Sequence, residues 1–393
     1  MLLPVFASLN RPCMNRIDYI SSLFTGASQR DNFQRLDSIF PVATMTAAQA
    51  PFRFTEGRPL QLPDQYSHDG GPPKSVEDFL SLTETMALLV IEDGAIRFER
   101  YAPWGGHEAK WVSMSVAKSF VSAAIGIAVQ DGFIGDVSEP ITAYLPALAG
   151  SAYDGVPIKD ILQMSSGARW NEDYSDPESD INRFAAIFAQ GGSFDAFPAT
   201  LSRDRASGTF NLYNSTDTQV LGMLLVAATG RTIADYMQEK LWHPLGMEAD
   251  GQWLLDSTGM EMAFAGLNAV ARDYAKLGEL FRNGGVWQGR QVVPAGWVKA
   301  SLTADGPHLQ PGDTGLSDSL FGYGYQWWLM DGEEGEFAAI GVYNQFVYVN
   351  PAKKLVIVKL SSSPDYGTVN DESTYREYET ISLFRAIGKE LED

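Results

Sequence analysis

The stretch KWVSMSVAKSFVSAAIGIAVQDG, residues 110–132, passes from a polar segment into a run that is small or apolar on every side and stops at Gly132. A helix that is apolar all round is a buried helix, and a glycine past its end suits a left-handed stop. The tetrad Ser115-Val116-Ala117-Lys118 stands where that helix begins. A spacing of three puts serine and lysine on one helical face with Cβ atoms ~5–6 Å apart, so the amine reaches the hydroxyl. Buried against the apolar run, an ammonium loses hydration, its pKa falls, and the neutral amine can accept the serine proton. The free N–H groups at the helix N-terminus favour developing negative charge. The same spacing also arises when serine caps a helix and lysine lies in solvent, so further features have to separate the two.

Outward from this helix, MALLVIEDGAIRFERYA (86–102) reads as two strands around an Asp93-Gly94 turn, a hairpin at one edge of a sheet. Ser75, after a Gly-Gly-Pro-Pro turn and with Asp78 three residues on, predicts the start of a short helix. The first fifty residues read as an irregular arm. Downstream, segments 158–166, 181–190, 215–229 and 232–242 have helical spacing. After residue 320, YGYQWWLM, EFAAIG, QFVYVN and KLVIVKLSS read as strands, and 375–391 as a closing helix. Strands at both ends of a helical middle predict an α/β (α+β) fold, one antiparallel sheet flanked by helices from both termini, with a helical lobe inserted. The expected organisation is an N-terminal arm (1–50) and a single catalytic domain (51–393). The domain has a sheet lobe (51–115 and 266–393) and a helical lobe (116–265), with the active site between them.

Composition narrows the function. With 393 residues, 45% hydrophobic and 20% charged, the chain can bury a large core. A formal charge of −20 repels phosphate backbones and anionic membranes, so neither nucleic acid nor membrane is an expected partner. One cysteine, Cys13, excludes an intrachain disulfide and a thiolate metal cluster. The opening MLLPVFASLNRPCMNR has an apolar run shorter than the ~7–15 residues of a secretory core, which predicts a cytoplasmic protein. His68, His107, His243 and His308 form no close pair, and no P-loop, G-x-G-x-x-G or G-x-S-x-G occurs, so neither metal nor cofactor is expected.

Two more segments carry chemistry. Tyr213-Asn214-Ser215, in GTFNLYNSTDTQVLGMLL, precedes an apolar helix, and a tyrosine near a cationic lysine can pass a proton to a leaving group. It also fits a loop aromatic packed on the helical lobe. Gly341 interrupts the strand pattern of EFAAIGVYNQFVYVNP, which permits close backbone approach of a substrate or marks a bulge.

In this order the three segments resemble the serine β-lactamase and penicillin-recognising hydrolase superfamily, in its class C-like esterase and amidase branch. SMSVAKS, DGFIGDVSEPITAYLP, IKDILQMSSGARWNEDYSDP, YNSTDTQVLGMLLVAATGR, LWHPLGM, ARDYAKLG and VNPAKKLVIVKLSS carry the resemblance across roughly residues 85–365. WNEDYSDP and IVKLSSSPD, with IFPVAT upstream, are most similar to the 6-aminohexanoate-dimer hydrolases, the nylon-oligomer amidases. The resemblance implies a β-lactamase-like fold with Ser115 as acylated nucleophile, Lys118 as its base and Tyr213 as proton relay. It places the oxyanion hole at the N–H groups of Ser115 and Val342, the residue after Gly341, where one donor can be worth ~3 kcal/mol. Tyr174, between Trp170 and Pro177, matches a lid tyrosine that contacts the amide nitrogen. Asp365 falls near a position associated with amine recognition, and equally fits a solvated turn. Ala339-Ile340-Gly341 departs from Lys-Ser/Thr-Gly, and Ser215 replaces the usual asparagine, which argues against β-lactam and peptidoglycan substrates. The implied protein is a cofactor-free serine hydrolase forming an acyl-enzyme on small linear amides or carboxylic esters, with a homodimer allowed. The alternatives are a promiscuous carboxylesterase with little amidase activity, a non-catalytic binding protein on the same fold, and a peptidoglycan peptidase, which needs export. Retention of Ser115, Lys118 and Tyr213 together argues against a pure binding role.

Overall fold

The computed structural model describes residues 22–24 and 28–391. Cys13 and the opening segment read for export lie outside the described residues. Eight strands build the main sheet: β1 (Thr55–Glu56), β2 (Thr85–Glu92), β3 (Ala95–Tyr101), β4 (Gly322–Tyr323), β5 (Trp328–Leu329), β6 (Phe337–Gly341), β7 (Gln345–Asn350) and β8 (Leu355–Ser361). Their spatial order is β4-β5-β6-β7-β8-β2-β3-β1, antiparallel throughout except for β1 beside β3. The two ends of the chain meet where β8 pairs with β2, Leu355 opposite Glu92. Asp93 (φ 47°) and Gly94 (φ 78°) both take the left-handed conformation that matches the twist of the hairpin strands. The hairpin is not the sheet edge, because β1 covers β3.

Side chains alternate across β7 and β8, and each face has its own helices. Six helices matter here: α1 (Val76–Leu82), α2 (Ala117–Gln130), α3 (Asp180–Gln190), α4 (Ser215–Thr229), α5 (Ala271–Arg282) and α6 (Glu377–Lys389). Phe346, Tyr348 and Ile357 pack with Phe79 of α1 and Phe384 of α6, while Val347, Val349, Val356 and Val358 pack with Leu277 of α5, behind which Phe120 of α2 meets Tyr274. A sheet buried on both faces reads as continuous apolar strands, as here. Gly278 lets α5 sit close, since a Cβ there would lie 2.8 Å from Val347. Ser75 caps α1 as expected, its Oγ accepting the Asp78 N–H at 3.2 Å.

Four further expectations are corrected. The stretch YGYQWWLM is not one strand but the short hairpin of β4 and β5, turned at Gln326 (φ 63°). The Gln326 side chain accepts from Thr218 of α4 at 2.6 Å and donates to the Leu162 carbonyl at 2.9 Å, and its own carbonyl accepts from Ser119 of α2 at 2.6 Å. This residue therefore ties the sheet to the helical region. Residues 28–45 are not an irregular arm: the strand Val42–Met45 pairs with Gly251–Leu254 in a second, four-stranded sheet completed by Leu267–Ala269 and Trp111–Val112. Phe33, Leu36 and Phe40 of the same segment join the core. Finally, the helix expected over 158–166 ends at Leu162, ahead of a left-handed Met164 (φ 50°), and that over 232–242 becomes a wide π-type turn from Gln238. Among the described residues no single helix is long and apolar enough to cross a membrane.

Candidate active site

The strand Trp111–Val112 leads into Ser113, whose N–H donates to Leu267 at 2.7 Å, and Met114 then takes a left-handed conformation (φ 45°). That kink turns the chain into the tight turn Met114–Val116 and on into α2, leaving Ser115 at the junction with only 7% of its surface exposed. Lys118, one turn on, is 1% exposed. Its Nζ lies 2.9 Å from Ser115 Oγ, 3.2 Å from Ser215 Oγ and 2.9 Å from the Phe264 carbonyl. The buried reading of the tetrad is the one the structure adopts. Burial lowers the lysine pKa to about 7, and the Glu172 carboxylate opposes the shift.

Tyr213 enters from the residue before the α4 cap. Asn214 holds that cap, its side chain accepting the Thr216 N–H at 2.8 Å. The Tyr213 ring stacks on Trp328 at 5.1 Å and lies 5.1 Å from Lys118 Nζ, and its hydroxyl interacts with that of Ser115. Its backbone N–H is held by Asp318 at 3.2 Å. Burial pushes the phenol well above its ordinary pKa. Of the two groups flanking Ser115, the lysine is thus the one whose neutral form is within reach near neutrality, while the phenol keeps its proton.

Gly341 ends β6 against the nucleophile. A Cβ there would lie 2.8 Å from the Ser113 carbonyl and 2.9 Å from the Ser115 nitrogen, so glycine is needed because backbone meets backbone. Val342 follows directly, in the turn to β7. The Tyr174 hydroxyl donates to Glu172 Oε1 at 2.8 Å, and its ring meets Tyr366 edge-on at 6.3 Å. Asp365 is exposed. Its backbone carbonyl accepts from Thr368 Oγ1 at 2.8 Å, and its side chain is not joined to the other site residues.

Sequence reasoning missed Glu172. Its Oε1 accepts from Ser215 Oγ at 2.6 Å and from Tyr174, and its Oε2 accepts from the Ser215 N–H at 3.1 Å and from Trp170 Nε1. A continuous path thus runs Ser115, Lys118, Ser215, Glu172, Tyr174. The signal was an acid two residues from the singled-out tyrosine in WNEDY, but its partner Ser215 lies 43 residues away in sequence. Among the described residues no group of three or more His, Cys, Asp or Glu side chains could hold a metal ion.

Comparison with known proteins bears on the family and the fold. The model of the Beta-lactamase family matches residues 81–380. The 6-aminohexanoate-dimer hydrolase of Paenarthrobacter ureafaciens is 32% identical over 351 residues, covering 86% of each chain. Among solved structures, a Bacillus anthracis protein assigned by name to the 6-aminohexanoate-dimer hydrolases superposes with a TM-score of 0.81 at 22% identity, over 94% of this chain and 96% of that one. EstCE1, described as a hydrolase with promiscuous acyltransferase activity, superposes at 0.61 with 14% identity, over 79% and 96%. At such identities these two structures speak for the fold, while the extent of the family match and the relative at 32% speak for descent, and the chain belongs to the Beta-lactamase family of hydrolases.

Proposed function

We propose that this chain hydrolyses small linear amides and carboxylic esters through an acyl-enzyme on Ser115. The observation that carries the reading is the buried Lys118 amine, 2.9 Å from the Ser115 hydroxyl and with its pKa lowered to about 7. In the first step the neutral amine takes the hydroxyl proton as Oγ attacks the substrate carbonyl carbon. The oxyanion is received by the N–H groups of Ser115 and Val342. Tyr213 then gives its phenolic proton to the leaving nitrogen or oxygen, the bond to carbon breaks, and the Lys118 ammonium returns a proton to the tyrosine. Water enters along the same path in reverse, with the amine taking its proton and the serine regaining its own as the acid departs.

The kinship to a 6-aminohexanoate-dimer hydrolase supports a linear amide as the substrate, and Glu172 holding Ser215 and Tyr174 supports a closed wall on the leaving-group side. The family's β-lactam chemistry is disfavoured, since the strand beside the nucleophile carries Ala339 and Ile340 in place of a cation. The test is turnover of a p-nitrophenyl acyl ester and of 6-aminohexanoate linear dimer by wild type and Ser115→Ala, with intact-mass detection of the adduct. Turnover with an adduct lost in the variant supports the mechanism, and the ratio of the two rates assigns amidase or esterase. No turnover and no adduct sinks the proposal in favour of a binding protein.

A further inference from the structure

We propose that Gln345 is a positioning residue that sets the distance between the two halves of the oxyanion site, with Asn344 as its second anchor. The inference rests on the reading of the Ser115 and Val342 N–H groups as the oxyanion donors. Those donors come from segments far apart in sequence, one following the strand Trp111–Val112 and the other following β6. Their spacing cannot be local.

The turn between them and β7 is strained. Gly341 faces Gln345 across three residues, and Tyr343 (φ 64°) and Asn344 (φ 65°) both hold a left-handed conformation, one that asparagine tolerates and tyrosine seldom takes. Such geometry persists only where its surroundings over-determine it. Gln345, fully buried, restrains it from the side of the small sheet. Its Nε2 reaches the carbonyls of Val342 at 3.2 Å, Tyr343 at 2.9 Å and Ser361 at 2.6 Å. Its Oε1 accepts from Trp111 Nε1 at 2.9 Å and from the Ser361 N–H at 3.1 Å. The orientation of the amide is unambiguous, because an indole N–H only donates and three carbonyls only accept. One side chain therefore grips the carbonyl of the residue that bears one oxyanion donor and, through Trp111, the strand that leads to the other.

Asn344 holds the turn from the opposite side. It is fully buried, with Nδ2 donating to the Tyr375 carbonyl at 2.7 Å and Oδ1 accepting from Thr380 of α6 at 2.8 Å and from Lys359 at 3.4 Å. The turn is thereby fixed between the small sheet and the last helix. Both residues act through backbone and touch no substrate atom in the proposed mechanism.

A positioning role differs from a merely structural one in what it costs. Misplaced donors weaken the transition state and leave the ground state bound as before. The experiment uses the full chain with Gln345→Met and Asn344→Gly, the second keeping the left-handed turn accessible while deleting the clamp. Readouts are kcat and KM on a p-nitrophenyl ester, and the Ki of phenylboronic acid, which becomes tetrahedral on Ser115 and sets an oxygen in the hole. In each variant kcat should fall about 10- to 100-fold with KM within about twofold, and the Ki should rise by the same factor as kcat falls. Unchanged kcat and Ki with only a lower Tm, or a rise in KM alone, overturns the proposal. Should Gln345→Met fail to fold, Asn344→Gly decides on the same criteria. A wild-type protein that takes neither boronate nor acyl group at Ser115 instead sinks the parent reading of the oxyanion site.

Discussion

An ammonium enclosed as Lys118 is, between the rings of Tyr213 and Phe264 at 5.1 and 5.7 Å, loses hydration that the nearby Glu172 carboxylate only partly replaces, and so its proton leaves at about pH 7. As a base it works when neutral, so kcat/KM should rise with pH through about 7 and level off above, which a pH–rate profile measures. The stability side has a fixed sign. With the folded pKa depressed, the unfolded chain binds more protons from about 7 up to the ordinary lysine value, so this group costs most at low pH and its cost shrinks as pH rises. Lys118→Met should therefore lose about 10³-fold or more in activity, while its Tm relative to wild type is highest at pH 6 and declines toward pH 9. Thermal melts across that range check it. Tyr213→Phe should slow amide hydrolysis about 100-fold and ester hydrolysis far less, because an alkoxide leaves with less protonation than an amine. Gly341→Ala is a steric test. Its methyl would stand 2.8 Å from one backbone oxygen and 2.9 Å from the Ser115 nitrogen, so the turn must move away from the nucleophile. Its kcat should fall about 100-fold or more, a loss of the order seen when an oxyanion donor is removed.

At the scale of elements, the β4–β5 hairpin shows what one buried amide does. Gln326 links it to α2, to α4 and to the Leu162 carbonyl. Gln326→Leu would leave the Thr218 hydroxyl and that carbonyl buried without this partner, a loss of about 2 kcal/mol or more. Denaturant titration would read it as a lower midpoint at unchanged slope. The elements that were legible in the sequence owe it to local causes. The Ser75 cap, the Asp93-Gly94 turn, the apolar α2 and the apolar runs of β7 and β8 each carry their signal within a few residues. The second sheet was illegible because its strands run two to four residues and gain their pairing from segments such as Val42–Met45 and Gly251–Leu254, some two hundred residues apart. The site divides the same way. Ser115 and Lys118 share a helical turn and could be paired from spacing, whereas Glu172 becomes a site residue only when the loop before α3 meets the first turn of α4. The links from Gln345 to Trp111 and Ser361 are equally tertiary, for nothing in QFVYVN separates that glutamine from any strand residue.

Across the whole molecule, the buried carboxylates set how stability varies with pH. Burial raises Asp217 to about 7, Asp318 to about 6, Glu377 to about 7 and Glu372 to about 8. A carboxyl whose folded pKa is raised keeps a proton that the unfolded chain has already released. Its contribution is fully present below the ordinary carboxylate value and is lost as pH rises through the folded one. Carboxylates depressed by ion pairs, such as Glu379 with Lys74 and Asp305 with Lys159, act in the opposite sense, but only within and below the ordinary carboxylate range. His308, lowered by burial, opposes the trend as pH rises through its ordinary value, and the buried amines of Lys118 and Lys359 oppose it above their folded values, but the raised carboxyls, joined by Asp160, Asp195, Glu261 and Asp273, are the larger set. Stability should accordingly fall between pH 5 and pH 8, each fully titrating group contributing up to ~1.4 kcal/mol per pH unit. Asp217→Asn isolates one share. Tyr153 and Ser166 both donate to Oδ1 at 2.8 Å, and an amide oxygen accepts them equally well, so the variant should match wild type near pH 5 and exceed it near pH 8. A wild-type Tm that is flat or rising over this interval would refute the account. The same interval is where Lys118 becomes a base, so the protein gains activity over the pH range in which its buried acids draw stability down. That opposition follows from one cause, since burial both frees the lysine amine near neutrality and holds the protons on these carboxyls.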